Sequence, residues 1–516
     1  MAPPLTRLTP GRAGLAVAVL AGVAGALALN HDLVGVFYDD GLYAGIAVAL
    51  AHGLGFVHPH LPGTPAVVHY PPLYPLLLAP LFGAFPVPTA AYLGKVLNLL
   101  LAALSAGLIA WHAARIRLLG DDAPEWLAPG VVAAAAIAIP VLATQAVLFS
   151  EPLFGVLFAA AVILADAPPA RVSPAAGAAL AGCAAALALL TRSIGVAAGA
   201  GIVVFLLATR RAPRHITLAA AAPVALAALG WGVWLLRHRD GIDPALAMNY
   251  GSYFETVRQA GLGVFWPASR ALLRPLGDLT LGLVAWPPIY YVCAAAAALV
   301  GGYGVYLLLR RSSIGWTLVF YLLILAVWPF PSDRFLWGVL PWLGLAWTAS
   351  AAALWPVLWH RFRLRLAVLV LAAVMVAGYG VIEVRGFAGR WWGTAAHQIS
   401  ANFAELLPWL DTLPPRAVLA IDDEALVWLY TGRASVPLYV YGYHGRTETR
   451  LRPAEHRAYL ERLGVTHVVL TGFGSGSDVE LDALLGAYPG WLTVIHRWPG
   501  GRTALRVNRT GPAVDP

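Results

Sequence analysis

The chain has 516 residues, of which 59% are hydrophobic and 12% charged, and its formal net charge is +8. A soluble globular protein carries about 25% charged residues, so at a mean hydropathy of +0.72 this chain cannot cover a water-exposed surface of its size. That excludes an ordinary cytosolic enzyme, a disordered chain and a nucleic-acid binder. The basic residues are nearly all arginines in short clusters between apolar runs, which is the pattern of a polytopic membrane protein.

The first apolar run covers residues 13–30, behind Arg7 and Arg12. Ala26-Leu27-Ala28 has the form of a signal-peptide cleavage box. Cleaved or retained, the run delivers Asn30 to the outer face. Further runs lie at 89–111, 129–143, 146–165, 174–191, 194–209, 216–236, 281–309, 315–330, 335–356 and 366–383, giving about eleven spans. Tight turns are expected near Gln145 and Arg192. The clusters Arg115/Arg117, Arg171, Arg210/Arg211/Arg214, Arg310/Arg311 and Arg361/Arg363/Arg365 fall on the side of Arg7 and Arg12. The amino terminus is therefore expected inside and, with an odd number of spans, the carboxyl terminus outside.

Two outer loops are long, from Asn30 to Pro88 and from Arg237 to Thr280, and loops of that length are usually functional. In the first, Leu42, Ile46, Ala49 and Leu50 recur at helical spacing, so Asp39 to His52 is expected to lie as an amphipathic helix on the membrane surface. Beyond Arg385 the composition changes. Strands are expected at 417–421, 436–440, 465–470, 492–496 and 503–507, and helices at 424–430, 453–463 and 479–485. The expectation is an α-helical membrane domain over residues 1–385, followed by a small extracytoplasmic α/β domain over 386–516.

The residues fit for chemistry collect at the outer edge. Asp39-Asp40 directly follow the first span. Such a carboxylate can take a proton from a hydroxyl or bind a metal; it equally suits a helix start, with Asp39 as cap and Asp40 favouring the dipole. Tyr70 stands before Pro71-Pro72, whose rings set an extended, rigid approach to the membrane. Ser150-Glu151 puts an acid at a span edge, where Ser150 capping is the plain alternative. Arg192 and Arg334 sit at the outer edge against the positive-inside tendency. A guidinium fork there suits a lipid-linked phosphate, and pairing of Arg334 with Asp333, or snorkelling, is the alternative. Lys95, the only lysine, lies in the span after the proline-rich stretch and fits either a phosphate contact or snorkelling.

Other features carry less. His52, His58, His60 and His69 cluster in the first loop, but Pro59 interrupts His58-Pro59-His60 and spacing fixes no acidic partner for zinc. Gly472-Phe473-Gly474-Ser475-Gly476 lacks the lysine of a phosphate loop and reads as a connection. Asn508-Arg509-Thr510 matches a glycosylation acceptor by chance. Cys183 and Cys293 stand alone in apolar spans, with no metal spacing.

The order of these pieces resembles the GT-C superfamily of membrane glycosyltransferases, in the branch of protein O-mannosyltransferases and lipid A aminoarabinose transferases. The series is Asp39-Asp40 with Tyr43, the helix ending Ala51-His52-Gly53-Leu54-Gly55-Phe56, Tyr70-Pro71-Pro72-Leu73-Tyr74, Ser150-Glu151-Pro152-Leu153, Leu190-Thr191-Arg192 and Asp333-Arg334-Phe335 ahead of Pro341. It covers about residues 10–385 and leaves the carboxyl-terminal domain unidentified. The resemblance implies a polyprenyl-phosphate sugar donor and an envelope glycan, lipid or protein acceptor. Transfer is then at the outer face of the inner (plasma) membrane, without a cofactor or a required metal. It makes Asp39 the base, with Asp40 and Glu151 beside it as catalytic candidates. Some relatives carry a phosphate-binding lysine where Tyr70 stands here, so phosphate contact falls to Arg192, Arg334 or Lys95, with Tyr70 kept as a substrate-binding candidate. A transporter or flippase of lipid-linked sugars is the rival expectation, although transporters place their charges nearer the membrane midplane.

Overall fold

The computed structural model describes residues 9–253, 257–258, 261–444, 447–472 and 476–508. Arg7, the Phe473-Gly474-Ser475 part of the glycine-rich connection, and Arg509-Thr510 of the Asn508 triplet lie outside those residues. The chain divides into two compact units: residues 1–30, 95–233 and 262–394 form one, and 31–94, 234–261 and 395–516 the other.

The first unit is helical. Across the described chain, six helices are long and apolar enough to cross a membrane: Pro10–Ala28, Val87–Arg115, Pro174–Thr191, Arg214–Gly241, Pro287–Leu308 and Phe362–Leu410. Leu127–Ala136 and Ile139–Ala146 make a seventh if they count as one span bent by 53°. The bend falls where Pro140 has no N–H to continue the ladder, and the Glu383 carboxylate accepts from the freed Ile139 N–H at 3.2 Å. Glu151–Asp166, Val196–Val204, Ser313–Ala326, Asp333–Gly338 and Leu340–Trp359 complete the bundle.

Several expected boundaries shift for identifiable reasons. The span expected from residue 281 starts at Pro287, because Pro287-Pro288 suit the first helical positions. The turn expected near Gln145 falls after it, at Val147–Phe149, since Gln145 still belongs to the helix ending at Ala146. The core is rich in alanine and glycine, which lets backbones approach closely, as apolar helices in lipid require. A Cβ placed on Gly304 would stand 1.8 Å from the Ala346 carbonyl oxygen.

The second unit holds a five-stranded sheet of strands β1 (Leu419–Ile421), β2 (Ser435–Val436), β5 (His467–Leu470), β6 (Leu492–Arg497) and β7 (Thr503–Val507), in the order β2-β1-β5-β7-β6. β1 pairs in parallel with β2 and β5, while β7 runs antiparallel to β5 and β6. Helices Glu424–Thr431, Pro453–Arg462 and Ser477–Ala487 alternate with the strands. A hairpin of β3 (Tyr441–His444) and β4 (Thr447–Arg450) was not expected.

Helix Asp39–Ala51 belongs to this unit, and it is no amphipathic surface helix. Asp40 through Ala47 and Ala49 are all buried. It packs on helix Leu73–Ala84 and on helix Glu424–Thr431. Small residues on more than one face permit this: at Gly41 a Cβ would meet the Ala425 Cβ at 3.1 Å, and Gly45 faces the Trp428 ring.

Candidate active site

Asp39 is presented by a strained turn. Tyr38 has φ 62° and ψ −69°, and the Asp39 N–H bonds back to the Phe37 carbonyl at 2.6 Å. This is the rare γ-turn with positive φ, which a residue bearing a side chain adopts only when its surroundings impose it. Asp40 imposes it. Its Oδ2 accepts from the Gly35 N–H at 2.7 Å and its Oδ1 from the Phe37 N–H at 2.9 Å, at zero exposure. The expected cap is therefore replaced: Tyr38 holds the cap position without a side-chain capping bond, and Asp40 organises the loop before the helix. Asp39 reaches elsewhere, to accept from the Tyr70 hydroxyl at 2.5 Å.

The neighbourhood of this bond is aromatic and buried. The Tyr43 ring lies 4.9 Å from Tyr70 and 5.0 Å from Tyr74. His69 stands edge-on to Tyr70 at 4.5 Å, and its Nδ1 donates to the Gly251 carbonyl at 2.8 Å. Tyr38 donates to the Asn249 carbonyl at 3.0 Å. His60 Nε2 meets the Tyr250 hydroxyl at 2.9 Å, and that hydroxyl also bonds the Glu424 carboxylate.

Burial sets the protonation of this cluster. It raises the phenols of Tyr38, Tyr70 and Tyr250 and lowers His58 and His69, with His60 falling to about 3. The tyrosines thus remain donors and the histidines neutral. Burial also lifts Glu424 to about 7, and burial followed by the charges of Glu424, Asp422 and Asp40 raises Asp423. Among the described residues no three His, Cys, Asp or Glu side chains group as metal ligands.

In the helical unit Glu151 is the centre of an ion-pair trio. Its Oε1 lies 2.9 Å from Arg192 Nη1, 3.0 Å from Arg334 Nε and 2.9 Å from Arg334 Nη2. Arg192 also donates to Ser150 Oγ at 3.1 Å, so Ser150 serves the arginine rather than the helix start. Each guanidinium lies over a ring, Arg192 over Phe335 at 4.6 Å and Arg334 over Phe149 at 3.5 Å. The alternative pairing of Arg334 with Asp333 gives way to Glu151. Asn98 holds the approach to the trio by donating to the Val147 and Phe149 carbonyls at 3.1 and 2.9 Å. Lys95 does not snorkel: it is 1% exposed and donates to Asn30 Oδ1 at 2.7 Å, while Asn30 donates to the Ala28 and Ala146 carbonyls.

The structure thus gathers Asp39, Asp40 and Tyr70 in one unit and Glu151, Arg192 and Arg334 in the other, with Lys95 tied to Asn30. Sequence reasoning missed Tyr38, Asn98, Phe149, Tyr250 and Glu424. Only Tyr38 carried a signal, standing directly before the acidic pair.

Helical packing, the acidic loop after the first helix and the small carboxyl-terminal sheet together make a fold similar to that of two solved structures. ArnT from Cupriavidus metallidurans superimposes with a TM-score of 0.53 at 15% identity, over 95% of this chain and 97% of that one. The oligosaccharyltransferase AglB from Archaeoglobus fulgidus, in complex with an inhibitory peptide and a dolichol-phosphate, superimposes with a TM-score of 0.52 at 12% identity, over 97% of this chain and 75% of that one. No family model and no curated protein sequence matches the chain.

Proposed function

We propose that the chain moves a sugar from a polyprenyl-phosphate donor to a hydroxyl of an envelope glycan, lipid or protein at the outer face of the inner membrane. In this reading about eleven spans, several shorter than a standard crossing, carry the amino terminus inside and the carboxyl terminus outside. Residues 386–516 then form an extracytoplasmic domain.

The observation that carries the reading is Asp39, raised on a strained turn with one carboxylate oxygen held by a neutral phenol. Asp39 takes the proton of the acceptor hydroxyl as its oxygen attacks the anomeric carbon. The bond from that carbon to the phosphate oxygen breaks, and polyprenyl phosphate leaves with the electron pair. Two guanidiniums against one carboxylate give the Glu151 trio one net positive charge. Arg192 and Arg334, with Lys95, are the groups to hold the developing phosphate charge, and Glu151 keeps the two forks aligned.

The test compares wild type with Asp39→Asn, purified in lipid and given synthetic polyprenyl-phosphate hexoses and pentoses with an envelope acceptor extract. Release of polyprenyl phosphate is expected from wild type and to fall about 1000-fold in the variant, with thermal stability retained. Equal release from both would remove Asp39 as the base. No release from folded wild type with any donor would turn the reading toward transport.

A further inference from the structure

Three consecutive residues of the second long loop, Asn249, Tyr250 and Gly251, each hold something different. The Asn249 carbonyl accepts from the hydroxyl of Tyr38, the residue at the centre of the γ-turn that presents Asp39. The Gly251 carbonyl accepts from His69, whose ring braces Tyr70, the residue that bonds Asp39. Between them the Tyr250 side chain lies against the Tyr38 ring at 5.8 Å and bonds Glu424 at the start of a helix in the carboxyl-terminal region. Two arms thus run from one short segment to Asp39, through its preceding backbone and through its phenol partner, and a carboxylate 174 residues away pins the segment.

We propose that Tyr250 and Glu424 are positioning residues for Asp39, so that the carboxyl-terminal domain is a working part of the transfer site. This rests on the reading of Asp39 as the base.

The packing supports a fixed junction. Gly35 and Gly41 flank the acidic loop, and a Cβ on Gly35 would stand 2.5 Å from the Leu426 Cβ. Tyr250 has zero exposure and Glu424 1%. His58, fully buried with neither ring nitrogen hydrogen-bonded among the described residues, lies edge-on to the Tyr250 ring at 4.8 Å.

The hydrogen-bond chain has two proton arrangements. With Glu424 ionised, Tyr250 donates to it, and His60 must carry its proton on Nε2 to donate to the Tyr250 oxygen. With Glu424 protonated, the acid donates to Tyr250, whose own proton turns to His60 or to the Tyr38 oxygen. His60 stays neutral throughout, so Glu424 alone decides the direction near neutral pH. The groups facing Glu424 are Asp422 and Asp423 from its own segment, Tyr250 from the second loop, Tyr38 from the first and Tyr459 from helix Pro453–Arg462.

The full-length protein in detergent is compared with Tyr250→Phe and Glu424→Gln by two readouts. One is turnover of the synthetic polyprenyl-phosphate sugars; the other is the rate at which a water-soluble carbodiimide labels Asp39, followed by mass spectrometry. Misplacement by about 1 Å costs about 100-fold in rate, so Tyr250→Phe is expected to lower kcat by about that factor while the donor KM moves less than about threefold. Asp39 labelling changes with it. Glu424→Gln keeps an acceptor for Tyr250, recovers most of the rate above neutral pH, and loses the limb of the kcat profile near pH 7.

Folded Tyr250→Phe with kcat within about twofold of wild type and unaltered Asp39 labelling would overturn the inference. If that variant does not fold, Glu424→Gln decides: an unchanged pH profile with unchanged labelling is equally fatal. The two readings fail separately. Inactive Asp39→Asn beside wild-type Tyr250→Phe sinks only the positioning role, whereas active Asp39→Asn sinks the base and leaves labelling to judge the positioning.

Discussion

Asp39 and Glu151 are both acids from sharp turns at helix starts, and the two units hold them by opposite means. Glu151 gives its Oε1 to two guanidiniums stacked on rings. Asp39 receives a phenol on a backbone bent into a γ-turn, in surroundings where the histidines are neutral. A carboxylate locked between cations is suited to orient them. In the proposed reading, the one held by a neutral phenol on an imposed turn is the proton acceptor. The comparison teaches that an acid at a helix start is judged by its partners rather than by its depth.

The sharpest way to break the comparison is to remove charge from the locked acid. Glu151→Gln leaves two guanidiniums, with side chains 10% and 31% exposed, against no carboxylate. Removing one partner of such a buried network costs about 3–5 kcal/mol. A large drop in the melting temperature of the detergent-solubilised protein is expected, where Asp39→Asn leaves it nearly in place. Equal stability losses at the two positions would erase the distinction.

Gly35→Ala tests how firmly the acidic loop is seated. Gly35 has φ +103°, and its Cβ would collide with Leu426. A side chain forced into that region costs about 2 kcal/mol, and because the loop carries Asp39, turnover should fall along with stability. A wild-type rate in a destabilised protein would show that the loop seat and the chemistry are separable.

A smaller effect is the pH dependence that Glu424 imparts. Its folded pKa, about 7, is raised above the ordinary 4.5 by burial. A raised pKa means that the folded state holds the proton more tightly. Its contribution is therefore complete below about pH 4.5 and is lost as the pH rises through about 7. The lowered His58 and His60 work in the opposite sense, favouring the fold as the pH rises through the ordinary histidine range. The melting temperature of wild type minus that of Glu424→Gln isolates the glutamate, and this difference should decline between those limits. A flat difference would mean that Glu424 is not held protonated.

The same contrast explains what the sequence disclosed. Asp39-Asp40, Glu151, Arg192 and Arg334 were legible because an ionisable residue at the edge of an apolar run is conspicuous. The apolar runs were legible because lipid-facing composition is nearly uniform. Partner choice was not, since Tyr250 and Glu424 meet across 174 residues and Arg334 passes over the adjacent Asp333 for Glu151, 183 positions away. Local patterns also misled in the second unit. The strand expected at 436–440 stops at Val436, before Pro437, which has no N–H to give a ladder. Helix Asp39–Ala51 showed helical spacing but is buried by neighbours distant in sequence.

The least effect is expected at a partly exposed pair within the second unit. Arg462 forks onto Asp243 at 2.7 and 2.8 Å, and Asp243 also accepts from the Ala245 N–H at 2.9 Å. Hydrogen bonding to Arg462 holds the Asp243 carboxyl below its ordinary value, so its contribution is present above the carboxylate range and fades as the pH falls through it. The arginine side chain is 51% exposed, and solvent screening limits such a pair to about 0.5 kcal/mol. Arg462→Ala should therefore lower the melting temperature slightly at low salt and still less at high salt. Asp243→Ala should cost more, because it also strips the turn of its Ala245 bond. A salt-independent loss in Arg462→Ala as large as that of Glu151→Gln would mean that the second unit, too, depends on ion pairs, and the contrast between the two carboxylates would lose its basis.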